Sequence, residues 1–435
     1  MSYNLIIMFT VLIILLASFF AYVAWRRLPW AIALVILFLP SYLIRFQVGF
    51  LPMTVLEVMV LVLVIVWVVK RLVSLSKFKN VIVPWRWLIL LFALAGVVAV
   101  LISPDTRAAL GLWKAYILEP ILFFIVFVNV IKTKKEVTEI FWALGALTVI
   151  VGYVTLLQYL NIVNIPAHYG LESPRRATSM FPFPTAVGKL IGPLVALFLG
   201  ILLTKSKLAL RPLRNFFMDN LFVLGVLVFG FMGLLFSVSR GALLGVFIAL
   251  IFISFFSVWK KWLWLSMGLV IILVILIPQT RSNIAGVFTA DDVSTDVRLV
   301  MWQGAVRIIK DNPITGTGLA SFPIVYEDYK EASHTEFFPN PDHLILSLWI
   351  EMGLAGLVLF AWLVVKFFQA GLRALKTYRG GAVGLMAAMV ALLVHGFFDT
   401  PYFKNDLAIL FWGLMGLVVV LSRQSNIHGV VSEKD

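Results

Sequence analysis

Long apolar runs recur along nearly the whole chain, and they limit its fold more than any other feature. Runs of the roughly 20 mostly apolar residues that cross a bilayer core as a helix fall at 4–25, 29–46, 52–72, 84–103, 113–131, 137–160, 183–204, 219–237, 240–258, 261–279, 343–369, 380–398 and 404–422. Pro40 interrupts the second run. A chain in lipid must satisfy its backbone polar groups internally, so only helices and closed barrels span it. These runs are continuous rather than alternating, which selects helices. The expected fold class is therefore all-α, a polytopic transmembrane helical bundle of about 12–13 spans. Composition agrees: 62% of residues are hydrophobic and 13% charged, against about 45–50% and 25% in soluble domains.

The net charge of +14 resembles that of a nucleic-acid binder, but its distribution says otherwise. Arg26 and Arg27, Lys70–Lys79, Lys132–Lys135, Lys205–Arg214, Lys260–Lys261 and Arg373–Arg379 all fall in links on one side of the bundle. The positive-inside rule makes that side cytoplasmic, so the basic excess sets orientation and no nucleic-acid partner is implied. Residues 4–25 lack a basic leader and a small-residue cleavage site, and are expected to be a retained span. The expected organisation is an N-terminal transmembrane region of about ten spans at 1–280, a large extracytoplasmic loop at 281–341, a three-span region at 342–423 and a short polar cytoplasmic tail at 424–435. The chain has no cysteine, which removes disulfides, iron–sulfur centres and thiolate zinc sites.

The large loop holds RLVMWQGAVRIIKDNPITGTGLASF (Arg298–Phe322) and ends where PDHLILSLWIEMGLAGL (Pro341–Leu357) enters a span. Val297, Val300, Met301, Ala305 and Ile308 recur at helical spacing, predicting an amphipathic helix over 297–310 that Asp311-Asn312-Pro313 stops. Its apolar face fits either the membrane surface or the ends of the spans. Arg298 and Arg307 lie about 180° apart on such a helix, so one ligand cannot easily engage both. Gly316-Thr317-Gly318 allows a tight turn but is too short for a nucleotide loop.

Ionisable residues near the outer face are costly and run against the charge trend. They include Arg176, Arg240, Lys189, Lys114 and Glu119. Structural ion pairs would account for Lys189 and Glu119, and snorkelling for Lys114. A diphosphate would also account for the cations, since guanidinium groups bind phosphate oxygens through paired, charge-assisted bonds. His343, Ser347 and Glu351 follow at i, i+4 and i+8 and share a helix face. His343 could be a general base toward a hydroxyl or simply a helix-start residue. His395 and Asp399 are also four apart, so the carboxylate could orient the imidazole. No His-x-x-x-His or His-Glu-x-x-His spacing exists, and neither a metal site nor a cofactor is expected.

With RATSMFPFPTAVG (Arg176–Gly188), SVSRGALLG (Ser237–Gly245), Arg298–Phe322 and DHLILSLWIEMGLAGL (Asp342–Leu357) in order, the chain resembles the O-antigen ligase/O-antigen polymerase superfamily of bacterial membrane glycosyltransferases. The resemblance covers the C-terminal two-thirds. It implies a GT-C-like, inverting, metal-independent transfer on the outer face of the cytoplasmic membrane. The donor would be an undecaprenyl-diphosphate-linked glycan and the acceptor a hydroxyl of lipid A core, a glycan repeat unit or a protein. Carried over by motif, the diphosphate role falls on Arg176, Arg240 and Arg298, with Lys189 nearby. Family members often read His-Asn at the span start, a register that puts Asp342 at the His position and His343 at the Asn position. The base is therefore His343, Asp342 or His334, with Glu351, His395 and Asp399 in support. A repeat-unit polymerase is the nearest alternative, and a transporter or flippase for lipid-linked sugars the alternative of another class. Internal repeats and midplane helix breaks, the usual transporter signs, are not evident.

Overall fold

A computed structural model describes residues 3–48, 51–73, 81–204, 213–276, 293–330 and 338–432. Among the described residues the fold is all-α apart from a hairpin of Arg45–Val48 and Leu51–Thr54, antiparallel with Arg45 opposite Thr54. Among the described residues, six helices are long and apolar enough to cross a membrane: Thr106–Val130, Lys134–Tyr159, Pro184–Leu203, Asn220–Ser237, Leu344–His395 and Asn405–Ser425. Shorter apolar helices include Thr10–Arg26, Leu28–Leu37, Arg86–Ile102 and Arg240–Ser254. This is a multi-pass membrane protein.

Two helices form the centre. In the apolar 18-residue stretch of each, 89% of Pro184–Leu203 and 94% of Asn405–Ser425 lies buried, as expected of helices apolar all round. Pro184–Leu203 packs on Leu213–Ser237, Arg240–Ser254 and Leu344–His395, and the last helix packs on Leu344–His395 and Glu119–Val130. The expected span at 29–46 is shorter than a crossing. Its helix ends at Leu37, a 3-10 turn covers Leu39–Leu43, and the hairpin follows. Pro40, with no N–H to donate, sits in the first positions of that turn. The expected span at 113–131 starts earlier, at Thr106, and passes through a π turn at Lys114–Leu118.

The long segment Leu344–His395 is two spans joined without a loop. Tyr378 leaves helical geometry (φ −132°, ψ 55°), and the chain reverses there. Gly371 lies against Met386, whereas a straight helix would hold them ~22 Å apart. The last helix continues to Ser432, beyond the expected end at 422. Neighbouring spans hold its extension: Arg373 Nε donates to Ser422 Oγ at 3.3 Å, Thr377 and Ser425 hydroxyls meet at 3.0 Å, and Gln424 Nε2 donates to the Lys132 carbonyl at 2.6 Å.

A second break lies at Gly353 (φ +67°). It separates the short helical start, 344–352, from the span proper, and the GTG turn docks into it. Thr317 N–H donates to the Ile350 carbonyl at 2.7 Å and Leu354 N–H to the Ile314 carbonyl at 3.0 Å. On the other side Ser103 Oγ donates to the Leu319 carbonyl at 2.7 Å. The large loop is thus stitched to two spans through backbone groups. A methyl at Gly353 would fall 2.5 Å from the Ile314 carbonyl oxygen at a φ that L-residues disfavour. Gly353→Ala is expected to cost about 1–3 kcal/mol, measurable as a lowered thermal unfolding midpoint in lipid nanodiscs.

Candidate active site

The site begins with a buried ion pair. Lys189, early in Pro184–Leu203, places Nζ 2.8 Å from Asp399 Oδ1, with both side chains 7% exposed. Asp399 lies in the turn after His395 and also accepts the Thr400 N–H at 2.7 Å. Burial alone would raise its carboxyl, but Lys189, His395 and the Thr400 N–H outweigh it and hold it below the usual range. Asp399 is therefore ionised.

A second carboxyl, Asp342, lies beside this pair. Asn340 Oδ1 accepts both the Asp342 N–H and the Thr400 hydroxyl at 3.0 Å, joining the two turns. Leu344 N–H donates to the Gly396 carbonyl at 2.7 Å. Asp342 adopts a left-handed backbone (φ +43°), which short polar side chains tolerate best after glycine. Burial, then the Asp399 charge, push the Asp342 carboxyl up to about 6 against the opposing pull of Lys189 and Arg298. Two neighbouring carboxyls whose pKa values are pushed in opposite directions are a usual acid–base arrangement.

Arg298 comes from the helix Val293–Asp311. Met301, Ala305 and Ile308 of that helix are buried with Phe322, Tyr326 and Ile350, so its apolar face rests on protein, as the second of the two sequence alternatives has it. Trp302 Nε1 donates to the Pro341 carbonyl at 2.9 Å, fixing the helix over the Asp342 turn. Arg298 is half-buried and acts on Asp342, whereas Arg307 is exposed.

His395 is 3% exposed and packs on the bare Cα of Gly241, where a methyl would sit 2.9 Å from its Cδ2. This close approach brings Arg240, exposed at the first position of Arg240–Ser254, to the rim. Arg176 is held nearby in sequence terms but differently: Ala177 N–H donates to the Phe236 carbonyl at 2.9 Å, the Gln158 amide binds Thr178 and Ser179, and Arg176 Nη1 lies 3.8 Å from Glu172. The structure thus brings together Lys189, Asp399, Asp342, Arg298 and His395, sets Arg240 at their edge, and pairs Arg176 with Glu172. Glu351 is buried and accepts the Ala320 N–H at 2.8 Å, pinning the GTG turn. Lys114 lies 3.4 Å from Glu57 and 3.7 Å from Glu119, an ion-pair cluster. His334 lies outside the described residues.

His343 is the N-cap of its helix. Its Nδ1 accepts the Leu346 N–H at 3.4 Å. A neutral imidazole that accepts at Nδ1 carries its proton at Nε2, so in this geometry Nε2 is a donor. Burial pushes the His343 pKa down, keeping the ring neutral.

Sequence reasoning missed Lys404. Its Nζ lies 4.7 Å, 4.9 Å and 5.5 Å from the ring centres of Tyr42, Phe183 and Phe181, and Lys189 lies 5.1 Å from Phe183. Burial pushes Lys404 down to about 8. The available signal was a lysine at a span start in an aromatic run, Tyr402-Phe403-Lys404.

Residues 225–361 match the family model described as O-antigen ligase. The match is a similarity to that family over this stretch, about a third of the chain. The matched stretch contains Arg240, Arg298, Asp342, His343 and Glu351, while Arg176, Lys189, His395 and Asp399 lie on either side of it. No curated protein matches the chain.

Removing Lys189 alone would leave Asp399 buried without its cation. Lys189→Met is expected to lower stability by about 3–5 kcal/mol, and the double variant with Asp399→Leu to recover most of it, read as denaturation midpoints.

Proposed function

We propose that this protein transfers a glycan from undecaprenyl diphosphate to an acceptor hydroxyl at the extracytoplasmic face of the bacterial cytoplasmic membrane. The observation that carries this reading is Asp342, a carboxyl raised to about 6 beside Arg298 and the Lys189–Asp399 pair, inside the stretch matching O-antigen ligases. The basic links at the opposite end of the spans support the orientation.

Asp342 takes the proton from the acceptor hydroxyl. The acceptor oxygen attacks the anomeric carbon, and the bond from that carbon to the diphosphate oxygen breaks with inversion. Undecaprenyl diphosphate leaves with the bonding electron pair. Arg298 and Arg240 neutralise the growing charge on the leaving group, which preorganised cations do at little reorganisation cost. Arg176 joins them if its Glu172 contact exchanges for phosphate. Lys189 serves by holding Asp399 ionised, which in turn keeps Asp342 basic enough to act near neutral pH. The chemistry needs no metal or cofactor.

A carboxylate base must be deprotonated, so kcat/KM is expected to rise as pH increases through about 6. The test is transfer by purified protein in nanodiscs from an undecaprenyl-diphosphate oligosaccharide with EDTA present. Asp342→Asn is expected to lower kcat by at least about 100-fold, and Arg298→Met to lower kcat/KM comparably. Near-wild-type rates in both variants would sink the assignment. A single block transferred indicates ligase activity and a ladder of repeats indicates polymerase activity. Movement of labelled lipid-linked sugar across liposomes, with no glycosidic bond formed, would replace the enzyme reading by transport.

A further inference from the structure

Three rings line the edge of the Asp342 turn. Trp302 and His343 meet edge to face at 5.2 Å, and His343 and Phe397 do so at 5.5 Å. Phe397 is 50% exposed, and Trp302 and His343 are half-buried. Trp302 and His343 are fixed from behind, and the backbone before Phe397 is anchored. Trp302 Nε1 is bound to the Pro341 carbonyl, His343 Nδ1 to the Leu346 N–H, and Phe397 follows Gly396, whose carbonyl accepts the Leu344 N–H. Two of the rings are therefore held by hydrogen bonds, and polar side chains of Asn340, Asp342 and Thr400 lie along the same two turns.

We propose that Trp302, His343 and Phe397 form the subsite for the acceptor, and that the acceptor is a hexopyranose ring of a glycan rather than a serine or threonine side chain. This rests on the transfer reaction above. A pyranose has one face rich in C–H groups, which suits an exposed aromatic ring, and a rim of hydroxyls, which needs donors and acceptors. The strip supplies both. Phe397 offers the apolar contact. His343, with Nδ1 occupied by the cap, points to hydroxyl recognition through Nε2–H rather than to proton abstraction. Asp342 is the preceding residue, in the same turn. The division separates recognition, by His343 and its ring neighbours, from proton transfer, by Asp342.

The discriminating variants preserve the local fold. His343→Asn keeps an N-cap side-chain acceptor and removes the imidazole. Phe397→Leu keeps bulk and removes the ring. Wild-type protein is first assayed with three acceptors: lipid A core oligosaccharide, the donor's own repeat unit, and a Ser/Thr-containing peptide. With the glycan that accepts, both variants are expected to raise acceptor KM at least about fivefold while kcat stays within about twofold and the rise of kcat/KM near pH 6 is unchanged. A direct readout uses maltotriose and saturation-transfer difference NMR on the full chain in nanodiscs. Wild type is expected to saturate the ring C–H protons, and both variants to lose most of that signal. Loss of kcat in His343→Asn with acceptor KM unchanged would make His343 the base and overturn the subsite. Transfer to peptide in preference to either glycan, or unchanged KM and NMR signals in both variants, would also overturn it, the latter leaving the strip as a lipid-facing surface. Absence of transfer to any acceptor by wild type would instead count against the reaction itself.

Discussion

The buried contact between Lys189 and Asp399 is the interaction on which the site depends. It joins the start of one of the two central helices to the turn between the last two spans. Two charges in so apolar a setting persist only as a pair with further hydrogen bonds, and the Thr400 N–H provides one. The ionised Asp399 then becomes part of the environment of its neighbour. Asp342 sits high because burial and that negative charge act together, and Arg298 and Lys189 keep it from rising further. The acid–base character of Asp342 is thus set first by its burial and then by the charges around it.

Bringing these groups together requires the chain to turn back on itself twice. The reversal at Tyr378 returns the segment begun at Leu344 to its own starting end, so that Leu344 meets Gly396 and Asp342 meets Asp399. The break at Gly353 receives the GTG turn, and this anchors the Val293–Asp311 helix above the same place. Gly241 then lets a third helix approach His395 closely enough to carry Arg240 to the rim. A reversal, a helix break and one close helix approach thus assemble groups from residues 189, 240, 298, 342 and 399.

Histidine is used sparingly in this arrangement. His343 caps a helix and His395 is packed away beside Gly241. Carboxylates and guanidinium groups provide the charge at the site. This suits a reaction whose leaving group is an anion that needs cations more than it needs a proton.

The sequence by itself determined the all-α class, the approximate positions of the spans, and the helix bearing Arg298. Those follow from hydrophobic run length and 3.6-residue periodicity, which are local. It also narrowed the polar candidates, because ionisable residues in apolar segments are few and conspicuous. Helix spacing alone set Arg298 and Arg307 on opposite sides, and the fold buries one and exposes the other. What the sequence could not decide was pairing across distance. Nothing local joins Lys189 to Asp399, 210 residues away, or puts Lys404 among Tyr42, Phe181 and Phe183. Nor does anything local give the hydrogen bond at His343 Nδ1 or the negative charge beside Asp342. Those are properties of tertiary contacts and burial, which fix protonation and tautomer, and no periodicity encodes them.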